Sequence, residues 1–342
     1  MTTKKDDEQK LFFKNPIKQY IILITLGVVV FIISISSGKF PITLTDILRI
    51  LTGQPMDSLT RLVFLNLRLP RVLMTLLSGI GLSLAGSVYQ TIFKNPLATP
   101  DLIGVASGAN LGAAIAIIFF AGNTLSLTLS AFIGGFIAVM MALSLTQLSR
   151  DKSMTHFILA GIVISSLTQG VIMLLKYFAD PEHQLAAMEF WAMGSFAHIT
   201  QAKLFSMLPF FLIGIMFLFL LRWPIRLLSL SDEEAQSLGI PVVWVRYAII
   251  FSATLVVASI VSLTGLIAFI GLIAPHISRM LTRKNDTHTF IISGLIGGVL
   301  LMSADTLART LTVSELPISI LTTFIGAPYL AYLMISLKPN DY

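Results

Sequence analysis

The chain has 342 residues, of which 55% are apolar and only 12% charged, where an ordinary soluble domain carries about 25% charged residues. With a mean hydropathy of +0.87 this is the composition of a membrane protein, and no stretch is left over for a separate soluble domain. The absence of cysteine excludes disulfides, thiolate metal sites and a cysteine nucleophile, and the +6 net charge is scattered between apolar runs with no aromatic-interleaved basic patch, so nucleic acid is not an expected partner.

About 20 apolar residues cross roughly 30 Å of hydrocarbon. Ten such runs follow in order, at about 18–37, 64–93, 101–121, 126–148, 155–178, 202–221, 244–264, 265–281, 289–309 and 316–337. The expected fold is therefore all-α, a single polytopic membrane domain over 1–342 with ten transmembrane helices. The short segment 1–17 has the charge of a signal-peptide start, but no small-residue cleavage site follows the first apolar run, so that run is expected to be retained. Residues 247–278 are continuously apolar and would make a helix of about 48 Å at 1.5 Å per residue, too long for one crossing. The turn is placed at "SLTG", 262–265. With the N-terminus in the cytoplasm, 15 of the 23 Lys and Arg residues fall on cytoplasmic segments, which predicts that both termini lie there.

Between the second and third runs stands "NPLATPDLIGVASGANLG", residues 95–112. Asn95 precedes Pro96 and is driven from helical angles, which ends the second span. Thr99, Pro100 and Asp101 then read as N-cap, first helical position and dipole-compensating acid of the next helix. Gly104, Gly108 and Gly112 follow at spacing four and predict a smooth face for close helix approach, as do Gly79, Gly81 and Gly86 in the second span. By itself the stretch needs no function, since a tight hairpin between packed helices accounts for it.

Residues 222–246 form the longest cytoplasmic segment. Ser231 and Glu234 make a capping box, while Gly239 and Pro241 end the helix after about seven residues. So short a helix is unstable alone and must dock, either on its own domain or, through Ala235, Leu238 and Ile240, on a cytoplasmic partner. No G-x-x-x-x-G-K-[ST] phosphate loop is present, and "LSGIG" at 77–81 lies within a span as packing residues. His276 has no second histidine at ligand spacing, so neither a metal nor a bound cofactor is expected. Asp305 has Arg309 four residues on and can be neutralised by it.

Several stretches together resemble the FecCD-type permease subunits of ATP-binding-cassette importers for ferric siderophores, haem and cobalamin: "LRLPRVL" (67–73), "GSVYQTIFKNPLATPDLIGVASGA" (86–109), "WAMGSF" (191–196), "EAQSLGI" (234–240), "GLIAFIGLIAPHISR" (265–279), "ADTLAR" (304–309) and "ELPISILTTFIGAPYLAYLM" (315–334). Their order along about 270 residues carries the resemblance. Thr99 stands where the family often has an acid, and Ser231-Asp232 precede the Glu-Ala pair where glycine is frequent.

The resemblance implies the type II importer architecture in a bacterial cell membrane. Two permease subunits, identical or paralogous, would enclose the path, an ATP-binding subunit dimer would hydrolyse ATP from the cytoplasm, and an extracytoplasmic substrate-binding protein would deliver cargo. This chain would then be no enzyme. Glu234, Ala235, Leu238 and Gly239 would couple to the ATPase, and Arg68, Arg71 and Arg309 would receive the binding protein. Asn95, Pro96, Gly79, Gly81, Gly86, Gly104, Gly108 and Gly112 would line or pack the pathway. The expected cargo is an iron complex, foremost a ferric siderophore, with haem or cobalamin as alternatives. A secondary transporter is the rival class, although the expected span centres hold no Asp, Glu, Lys or Arg of the kind that such proteins use.

Overall fold

A computed structural model describes residues 15–55, 57–149 and 153–336. The charges at Lys4, Lys5, Lys10, Lys14, Arg150, Lys152 and Lys338, used above for orientation, lie outside the described residues.

Every regular element among the described residues is helical. The order is α1 (Pro16–Ser36), α2 (Leu44–Leu51), α3 (Ser58–Val63), α4 (Leu69–Ile92), α5 (Val105–Phe119), α6 (Thr124–Leu148), α7 (Met154–Phe178), α8 (Ala186–Ala192), α9 (Gln201–Leu220), α10 (Arg222–Leu227), α11 (Asp232–Ser237), α12 (Val242–Thr264), α13 (Ile270–Thr282), α14 (Thr287–Thr310) and α15 (Ile318–Ser336). Among the described residues, seven helical stretches are long and apolar enough to cross a membrane: α1, α3 with α4, α6, α7, α9, α12 and α14. The shorter α5, α13 and α15 stand at the other three expected spans.

Burial separates centre from rim. The most apolar 18-residue windows of α4 and α12 are each 78% buried within the chain, and that of α1 only 17%. Thus α4 and α12 form the centre, with α14 and α13 packed on α4, α9 and α6 on α12, and α1 lying outside against α14. Several buried hydroxyls along the central helices donate to the preceding turn, as in Thr254 Oγ1 to the Ile250 carbonyl (2.8 Å) and Thr91 Oγ1 to the Ser87 carbonyl (2.9 Å).

Small residues set the closest approaches, because a backbone without a side chain lets another backbone reach it. A Cβ on Gly79 would run into the carbonyl of Gly297, one on Gly86 into that of Gly271, and one on Gly112 into that of Ser130. At Gly108 it would strike Ala138 and Gly134, and at Gly81 it would meet Phe211, Ile260 and Val256. Gly104 is different. It lies at φ +92, caps α5 in the left-handed region, and is not part of the α5 packing face.

The third span also begins later than expected. Pro100–Ile103 form a 3₁₀ turn, Thr99 makes no side-chain cap, and α5 starts only at Val105. The break between α12 and α13 falls where the "SLTG" turn was expected, at Thr264 and Gly265 (φ +71), but 265–269 stay non-helical and carry the chain to Phe269, itself at φ +66. The sequence reading missed α2, whose capping box joins Thr43 and Asp46, and α8, since both are too short to register as apolar runs.

Candidate functional site

The candidate on the segment expected in the cytoplasm is α11. Glu234 Oε2 accepts from the Ser231 N–H at 2.9 Å and the Glu234 N–H donates to Ser231 Oγ at 3.2 Å, which completes the expected capping box. The Ser231 donors hold the Glu234 carboxyl below its ordinary range. Gly239 takes φ +83 and closes the helix.

The exposed face differs from expectation. Ala235 (0% exposed) and Ile240 (7%) belong to the chain's own core, and Leu238 is left in the open at 54%. Ala235 is therefore removed from the partner-facing set: on a helix of one and a half turns, the side that docks it on its own domain cannot also be offered outward. Glu234 is spent on the cap.

Asp232, in the first turn, ties α11 to two other elements. Arg246, fully buried near the start of α12, donates Nη2 to both Asp232 oxygens at 3.1 Å and lies over the Phe157 ring of α7. Lys94 Nζ stands 3.6 Å from Asp232, and Lys94 directly precedes Asn95 and Pro96. An exposed ion pair thus links α11 to the segment that begins at Lys94, itself at φ +49.

That segment does not form a surface hairpin. It re-enters the helix bundle. The backbone of Leu102 and Ile103 lies against Gly161, and Ser107 Oγ bonds Ser165 Oγ at 3.2 Å. Gly161 is the eighth residue of α7, about 10 Å along the axis from the end of α7 that adjoins Arg246 and α11. Asn95 caps its own turn by accepting the Leu97 N–H at 2.9 Å, Leu97 projects outward at 58% exposure, and the stretch ends beside a cavity bounded also by 266–269.

At the opposite end the three expected arginines do meet, but inside the chain. Arg71 Nη2 is 2.8 Å and Nε 3.1 Å from Asp305 Oδ1, while Nη1 donates to Glu315 Oε2 at 2.8 Å. Arg309 donates to the Ser34 carbonyl and to Ser34 Oγ at 2.8 Å, with Nε 3.6 Å from Asp305 Oδ2. Arg68 donates to the carbonyls of Ser37 and Phe40, the latter at 3.0 Å, and so clamps 37–40. Arg68 is 7% and Arg309 3% exposed, too little to meet a partner's carboxylate without rearrangement. These two are corrected from docking residues to internal clamps. The reason is that each finds carbonyls of the α1 end and its following loop, a pairing the sequence does not display. Exposed basic groups on the same loop region are Lys39, Arg49 and Arg61.

No cluster of three or more His, Asp or Glu side chains able to hold a metal occurs among the described residues. The whole is a polytopic helical bundle with a short capped helix docked on its own domain and a re-entrant segment beside it. The chain belongs to the FecCD transport family, which it matches over residues 25–336. It is 37% identical over 320 residues to the molybdate import system permease protein MolB of Haemophilus influenzae, covering 92% of this chain and 95% of that one. It is 34% identical over 327 residues to the Fe(3+)-citrate import system permease protein YfmE of Bacillus subtilis, with 94% and 96% covered. A solved inward-facing structure assigned to the metal-chelate type of ABC transporter superposes with a TM-score of 0.83 at 36% identity, covering 94% of this chain and all of that one. The chain is thus the membrane permease subunit of an ATP-binding-cassette importer, in which separate subunits hydrolyse ATP.

Proposed function

We propose that this permease carries a metal chelate, foremost a ferric siderophore, inward across the cell membrane through a path formed with a second permease subunit. Haem and cobalamin are the alternative cargoes. An extracytoplasmic binding protein loads the path, and an ATP-binding dimer docks on α11. The observation that carries this reading is α11 itself: six residues, capped at both ends, anchored from beneath by Ala235 and Arg246, with Leu238 left bare. We read the bare leucine, on a helix too short to stand alone and held by its own domain, as the side offered to the ATP-binding dimer. The Asp232–Lys94 ion pair links α11 to the segment that begins at Lys94. The named cargoes of the relatives, which include an iron chelate and an oxyanion, support a small metal-containing solute without choosing among them. On the outer side, the exposed Lys39, Arg49 and Arg61 are the groups we assign to the binding protein's acidic rims, with Arg68 holding their loop in place.

The test reconstitutes the permease with its ATP-binding subunit and binding protein in liposomes and follows radioiron from a ferric hydroxamate chelate. Uptake is expected to require ATP and to be trapped by vanadate. Leu238→Arg is expected to lower it more than tenfold with insertion unchanged, since it places an unpaired charge in the contact. ATP-independent uptake, or normal uptake by Leu238→Arg, would contradict the reading.

A further inference from the structure

The re-entrant segment brings a carboxylate to an unusual place. A cavity of about 160 Å³ lies between the middle of α4 (Leu82), the last third of α12 (Val257, Val261), the turn at Asp101, Ala106 of α5, and the non-helical stretch ending at Phe269. Asp101 is the one ionisable residue lining it among the described residues. The Asp101 side chain is exposed within this chain, and among the described residues no hydrogen bond or ion pair reaches its carboxylate. Lys94, the cation nearest in sequence, is held by Asp232.

Two physical rules bear on such a group. A charge at membrane depth is costly unless it is paired or faces a water-filled cavity. Backbone outside α-helices at that depth is tolerated only where protein buries it or where it borders such a cavity, and here both 95–104, with its 3₁₀ turn, and the non-helical 265–269 are of this kind. Phe269, at φ +66 in a region bulky side chains rarely adopt, holds the second of these stretches against the cavity. The rest of the lining is apolar apart from Thr99, so no cation of the chain offsets the charge.

We infer that Asp101 makes the wall of the translocation path electronegative near its mid-depth, so that the path favours neutral or cationic metal chelates and disfavours oxyanions and polycarboxylate chelates. This rests on the reading of the chain as a chelate importer. It deepens that reading by giving the path its own charge selectivity, separate from that of the binding protein.

The cysteine-free chain permits a test that needs no cargo. Ala106→Cys is introduced and the permease–ATPase complex is placed in lipid nanodiscs, without nucleotide and with ATP and vanadate. The thiol is reacted with two methanethiosulfonates of similar size, one bearing trimethylammonium and one sulfonate. Their rate ratio, divided by the ratio for a free thiol in solution, reports the local potential. The expected result in the more reactive state is a cation preference of at least about tenfold, falling to within about threefold when Asp101→Asn is added and restored by Asp101→Glu. Thr99→Cys gives an independent second position should the first variant fail to assemble. A ratio unaffected by Asp101→Asn, as when a cation of the second permease subunit neutralises the carboxylate, would overturn the inference. So would a thiol unreactive to both reagents in both states at both positions. A wrong cargo would show in radioiron uptake and leave this ratio untouched, so the two failures are distinguishable.

Discussion

Asp305 is where local sequence spacing and tertiary structure compete for one carboxylate. Its i,i+4 partner Arg309 is legible in the sequence, yet stands at 3.6 Å, whereas Arg71, which is 234 residues away in sequence, takes both carboxylate oxygens at about 3 Å. The helical register fixes where Arg309 can reach, while α4 and α14 pack closely enough for Arg71 to approach Asp305 directly. Buried pairs of this kind add little net stability over apolar substitutes, but removing one partner is expensive because it leaves charge uncompensated. Asp305→Asn is therefore expected to destabilise the subunit by about 3–5 kcal/mol, read as a lower thermal midpoint in detergent, and Arg71→Met added to it should recover part of the loss. An unchanged midpoint for Asp305→Asn would show that the cluster is not a structural clamp.

Among the elements, α11 was the most legible in sequence, because caps are local: Ser231, Glu234, Gly239 and Pro241 all do what their spacing predicts or permits. What spacing could not give was the helix's orientation, so Ala235 was taken for a contact residue when it is an anchor. The cap also has a pH sense. With the Glu234 carboxyl lowered in the folded chain, its contribution is complete above the ordinary carboxylate pKa and is lost as pH falls through the lowered value. The 95–104 segment was legible as a break but not as a re-entry. Pro100 and Asp101 suit a helix start equally well, and only contact with Gly161 reveals that the start is a 3₁₀ turn within the bundle. The glycine series is similar: Gly108 and Gly112 serve the packing face, whereas Gly104 at the same spacing serves the backbone turn. Packing glycines can be tested against open ones. Gly86→Val is expected to separate α4 from α13 and abolish recovery of folded protein, whereas Gly170→Ala, with nothing within 4 Å of the added carbon, should be recovered at the native level. Equal recovery of both in fluorescence-detected size exclusion would remove the close-approach account.

For the whole molecule, class and span order were legible because hydropathy is summed over long windows, in which errors of a few residues cancel. The partners of individual arginines and the position of Asp101 were not, because they depend on how helices distant in sequence pack together. The account as a whole turns on one claim, that α11 faces the cytoplasm and receives the ATPase there, with the α5–α6 turn on the opposite side. The cysteine-free background makes single-thiol labelling the most direct measurement. Asn123→Cys and Leu238→Cys are each exposed to a membrane-impermeant maleimide, in cells whose inner membrane is intact and in inside-out vesicles with and without bound ATP-binding subunit. The account predicts that Asn123→Cys labels only from outside, and that Leu238→Cys labels only in inside-out vesicles and is protected when the ATP-binding subunit is present. Labelling of Leu238→Cys from outside, or equal labelling with and without the ATP-binding subunit, would contradict it.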